Sequence, residues 1–237
     1  MAELSNIAVL RNSEVGSGVS AYNVSVHKWG DLFVRDGGMI FSAGVAEDGA
    51  VTVSSGGYAE NVTVSSGGSM IVSSGGKATV VRVLSGGLLT VEEGGSVGVA
   101  ALDGEAVVSS GGSITALTVR RGGYAVISGT VMDLEVRHDG TVEMNGGSAS
   151  VVRTSGTIYA GFTRGLEKVI VGSDGYFDAE YVNGDIIEVR KGGFAETHAF
   201  ARYHVCNGGK LLTNHLFKDK VVCEEGGEVS YYYSDDE

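Results

Sequence analysis

Glycine pairs recur along this chain at intervals that alternate between 11 and 8 residues. Their second members, or the glycine of an Asp-Gly in the same place, fall at Gly38, Gly49, Gly57, Gly68, Gly76, Gly87 and Gly95. The unit is therefore a long arm plus a short arm, 19 residues together. Further on, Gly112, Gly123 and Gly147 keep the pattern, with paired arms of 17 to 19 residues. Each arm reads as a short strand, because apolar residues alternate with Ser, Thr or charged ones between Gly-rich ends. Helix is excluded, since glycine pairs at this density would each cost about 2 kcal/mol relative to alanine.

Stacked by phase, the long arms give three apolar columns: Ile40, Ala59, Ala78, Ile114 and Val131; Ala43, Val62, Val81, Leu117 and Leu134; Val45, Val64, Val83, Val119 and Val136. The short arms add Leu32 with Val34, Val51 with Val53, Met70 with Val72 and Leu89 with Val91. Thr52, Thr63, Arg82, Thr90, Thr118 and Glu135 take the opposite face. A unit of two strands and two glycine corners cannot bury its apolar side alone, so units must stack. The expected fold is all-β: a parallel β-solenoid of about eleven coils, roughly 50 Å long at ~4.8 Å per coil. A left-handed hexapeptide solenoid would show three equal arms, which alternating lengths do not.

Corner glycines are expected to supply φ > 0 and to leave room where corners stack. The chain has 39 Gly and no Pro, as it must if nearly every strand lies inside a ladder and donates its N–H. Three stretches are distinguished: residues 1–21 as a cap or partial coil, 22–156 as regular solenoid, and 157–237 as degenerate coils with an acidic end.

A net charge of -12, from 17 basic and 29 acidic residues, opposes nucleic acid and anionic lipid as partners. No apolar run reaches the roughly 18 residues of a spanning helix, and the first ten residues lack the pattern of an export signal. Read that way, the chain is not inserted in a membrane and would be cytoplasmic. Oligomeric state is open.

Chemistry is sparse. In the regular half, corners of two or three residues enclose nothing, so a non-enzymatic role is expected. The alternative is a polysaccharide-binding or processing site in the irregular coils, on Asp174, Tyr176, Asp178 and Glu180, with Tyr181, Asp185 and His198 nearby. Aromatics just after corners, Tyr58, Tyr124, Tyr176 and Phe194, make either a binding stripe or packing between coils. No cofactor or metal is expected: the calcium nonapeptide pattern is missing, and His198, His204, Cys206, His215 and Cys223 show no paired ligand spacing. Cys206 and Cys223, 17 residues apart, lie about one coil from each other and are a candidate disulfide, although their offsets from the following glycines differ.

The 19-residue unit with V-x-V-S-S-G-G, in Asn61 to Gly76 and again at Val51 to Gly57 and Val107 to Gly112, resembles the AIDA-type repeat of bacterial autotransporter adhesins. The resemblance covers residues 22 to about 147. It implies a right-handed parallel β-helix at the cell surface, held by a C-terminal outer-membrane barrel, attaching to host cells or glycans and glycosylated by a dedicated transferase. The matching acceptors are Ser54, Ser55, Ser65, Ser66, Ser73, Ser74, Ser109 and Ser110. Small hydroxyl residues also suit a tight turn, hydrogen-bonding nearby backbone before Gly-Gly, and both readings stay open. A self-assembling scaffold is a third possibility, since solenoid ends are exposed edges.

Overall fold

A computed structural model describes residues 2–198, 200–214 and 220–232. Of the residues singled out above, His215 lies outside these, as do the side chains of Tyr181 and Asp185. The chain is an all-β parallel solenoid of about 12 turns, one more than the repeat count suggests. The long arms Met39–Val45, Tyr58–Val64, Lys77–Val83 and Ser96–Leu102 pair in parallel, as do the short arms Asp31–Val34, Ala50–Val53, Ser69–Val72 and Leu88–Val91. Winding begins at once: Ala2–Ser5 and Ala8–Val9 pair with Val19–Val26, and Ser13–Val15 with Asp31–Val34. At the other end Glu228–Tyr232 still pairs with Lys210–Asn214.

Register follows the repeat. Val62 lies beside Val81, Val81 beside Ala100 and Ala100 beside Leu117. The three long-arm columns and the short-arm pairs are all buried in one core running the length of the solenoid. Because each coil contributes a few small side chains, stacking of like on like fills that core with Val, Ala, Leu and Ile.

The long arm is not one flat strand. Ile40 and Ala43 both point inward although they are three positions apart, and the two residues between face out. Parallel pairing skips at Asn23, Ser42 and Asn61, which have φ of 52°, 59° and 54°. In later coils the skip sits one place earlier, at Thr79 and Gly98, where φ is not positive. Each long arm thus bends once, and the coil has a third corner in addition to the two expected.

The expectation for the corner glycines also needs correction. Positive φ belongs to the first glycine of each pair, such as Gly56, Gly67, Gly75, Gly86 and Gly94, or to Asp48, Asp139 and Asp174 in that place. In Ser54 to Gly57 the N–H of Gly57 donates to the Ser54 carbonyl at 2.7 Å, and φ of +74° at Gly56 marks a type II turn. The second glycines are required for a different reason. A Cβ on Gly38, Gly57, Gly76 or Gly95 would lie 2.0 to 2.2 Å from a carbonyl oxygen of the coil before.

Two corners that follow long arms are shortened, to Asp103-Gly104 and Ser155-Gly156. Between them, the full corners at Arg120–Gly123 and Arg137–Gly140 project. A Cβ on Gly122 would meet nothing within 4 Å, whereas one on Gly86 would meet Ser66 Oγ at 2.6 Å. The missing residues at Asp103 leave a recess in front of Gly122. Later, Thr157–Val171 and Tyr176–Val189 run as unbroken strands, paired with a register shift between Arg164 and Leu166. There the tight glycine turn after the short arm is lost.

Candidate functional site

Outward positions of the short arms stack into ladders along one face. In the regular half these are mixed, with Ala50, Thr52, Ser69, Ile71, Leu88 and Thr90 in the central coils. From Tyr124 to Glu196 aromatics and carboxylates predominate. Thr157, Tyr176 and Phe194 form one column; Glu143, Tyr159, Asp178 and Glu196 form its neighbour. The Tyr176 ring lies 6.1 Å from Tyr159, edge on, and 5.6 Å from Phe194. Glu196 accepts hydrogen bonds from Tyr176 at 3.1 Å and Tyr232 at 2.6 Å. His198 stacks on Tyr232 with ring centroids 4.4 Å apart.

Beside this ladder is an open cleft of about 270 Å³, lined by Glu143, Asn145, Tyr159, Asp178 and Glu180. Part burial, then Glu196 and Glu180, push the Asp178 carboxyl above its ordinary value. Burial and the bond to Glu196 push Tyr176 up to about 12, so its hydroxyl stays a donor at neutral pH. An edge of tyrosine with several carboxylate acceptors suits sugar hydroxyls and their apolar ring faces.

Of the residues expected here, Tyr176, Asp178 and Glu180 share one strand face. Asp174 does not join them: it sits in the preceding corner with φ of 61°. Tyr159, Glu143, Glu196 and Tyr232 were missed because they come from other coils. Their signal was the short-arm register, which predicts each cross-coil neighbour. The post-corner aromatics divide between faces: Tyr124, Tyr176 and Phe194 lie on short arms, while Tyr58 lies on a long arm near Phe41, ring centroids 6.1 Å apart.

The recess before Gly122 is a second concavity, about 510 Å³, lined by Asp103, Arg120, Arg121, Arg137, His138 and Asp139. It sets three guanidinium groups against two carboxylates on a chain of net charge -12. Arg120 Nε is buried there without a hydrogen-bond partner.

The corner serines occupy two edges. Ser54, Ser55, Ser73, Ser74, Ser109 and Ser110 follow short arms; Ser65 and Ser66 follow a long arm. In each pair the first is half-buried and the second exposed. None of the eight hydroxyls hydrogen-bonds to the described protein, so the turn is held by backbone and glycine, not by serine hydroxyls.

Both cysteines are free thiols. Cys223 pairs with Val205, an inward position, whereas Cys206 is one residue further on, at the start of the corner. That single-residue offset turns the two side chains to opposite sides and corrects the disulfide expectation.

No protein-family model and no curated protein sequence matches the chain. Among solved structures, the chain is similar to the crystal structure of a TibA fragment hyper-glycosylated by TibC. Identity is 28% with a TM-score of 0.64, over 98% of this chain and 92% of that one. The likeness extends across the degenerate coils as well as the regular ones.

Proposed function

We infer that this chain is an adhesin-like surface solenoid that presents its corners and faces for attachment and acts without catalysis. Likeness over nearly its whole length to a hyper-glycosylated adhesin passenger fragment carries the reading. The geometry supports it: exposed serines with unbonded hydroxyls stand on the corners, where a cytosolic or surface glycosyltransferase has free access. Ser55, Ser66, Ser74 and Ser110 are the accessible acceptors, and their half-buried partners are not. The family assignment to AIDA-type autotransporters, the barrel anchor and the surface location belong to the same proposal.

The tyrosine and carboxylate cleft favours a second reading, in which the irregular coils themselves bind polysaccharide. The Arg120 recess would then receive an acidic group of the same polymer. The two readings separate by experiment. Substituting Asp178 and Glu180 by Asn and Gln, with Tyr159→Ala, should leave cell attachment by the intact solenoid unchanged under the first reading. Loss of sugar binding with an unchanged melting curve would favour the second. Attachment to cells that disappears only when the corner serines are replaced by alanine would favour the first.

A further inference from the structure

Linear spacing of His and Cys gives no metal pattern in this chain, but winding adds a ligand that spacing cannot show. His204 is the outward residue before Val205, and Cys206, two positions on, leaves the strand on the same side. One coil later the corner place of Cys206 is taken by Glu224, whose N–H donates to the Val205 carbonyl at 2.8 Å. The imidazole nitrogen, thiol sulfur and carboxylate oxygen all lie within 4.8 Å of one another. His204 Nε2 is 3.1 Å from Glu224 Oε1. The backbone N–H of Asn207 donates to the other oxygen, Oε2, at 3.1 Å, and so aims the carboxylate.

We propose that His204, Cys206 and Glu224 form a zinc-binding site with its fourth position open to solvent. One nitrogen, one sulfur and one oxygen ligand suit this borderline-soft, tetrahedral ion. Glu188, which pairs with His204 from the coil before, is not a ligand, because Lys168 at 3.3 Å and Arg190 at 2.7 Å hold it. The ion would join the last two described coils, where Val222 is 63% exposed and Cys223 lies open to solvent. Binding only to the folded chain, it stabilises that end by mass action.

Cobalt(II) is the probe, added to the reduced chain with absorbance followed in the near ultraviolet. The expected result is a thiolate-to-cobalt band that saturates at one equivalent and is bleached by zinc. Cys206→Ser should abolish the band and Cys223→Ser should keep it, while His204→Ala and Glu224→Gln weaken binding about tenfold or more. Far-ultraviolet circular dichroism checks that each variant folds. Absence of the band in the unmodified chain overturns the site. So does a band that survives Cys206→Ser.

Discussion

A Cβ on Gly76 would fall 2.2 Å from the carbonyl oxygen of Val53, one coil earlier. That oxygen cannot yield easily, because it accepts the N–H of Ser73 at 2.9 Å. Gly76→Ala should therefore destabilise by more than about 2 kcal/mol through displaced backbone. Gly75→Ala, with φ of +73° and looser surroundings, should cost about 1 kcal/mol. Thr63→Val, on the outer face, should change stability by less than about 0.5 kcal/mol. Urea unfolding of the three variants checks the order; equal losses at Gly75 and Gly76 would contradict the assignment of roles within the pair.

Trp29 takes the place in its corner that Asp48 and Gly67 take in the next two coils. Its φ is 63° and it is 70% exposed. A bulky residue in the left-handed region is strained by about 1 to 2 kcal/mol, and the Lys28 ammonium over its ring at 5.3 Å offsets only part of this. Trp29→Asn should raise stability by about 0.5 to 1 kcal/mol, read as a higher melting temperature. A fall would mean that the indole is packed more firmly than its exposure indicates.

Asp178 predicts a pH dependence. Its carboxyl is held above the ordinary 3.8 by burial and by Glu196 and Glu180. A group whose folded value is raised contributes stability while protonated and loses it as pH rises through that value. At pH 7 the ionised form is a cost, so Asp178→Asn should stabilise the chain there. The advantage should shrink on acidification, as the native carboxyl takes up its proton. Denaturant midpoints at pH 7 and pH 3.5 measure it; an advantage that grows on acidification would show that Asp178 is instead favourably paired.

The architecture was legible because one repeat determines both register and core. Ile40, Val62, Leu117 and Met70 were placed inward from phase alone, and all are buried. The third corner was visible too, as the odd step from Ile40 to Ala43, but period two was read across it. Which glycine of a pair takes positive φ was not legible, because both give the same letter and only the carbonyl of the preceding coil tells them apart. The candidate sites were half legible. Tyr176 and Asp178 share a strand and were found, whereas Tyr159, Glu196 and Glu224 reach their partners through stacking, which motif spacing does not register.

Peptide mapping by mass spectrometry of the native protein, with its cell fraction recorded, tests the central claim most directly. The account predicts a chain at the cell surface with sugar additions on Ser55, Ser66, Ser74 and Ser110, above the 24.4 kDa of the bare polypeptide. Unmodified corner peptides from a chain confined to the cytoplasm would contradict it.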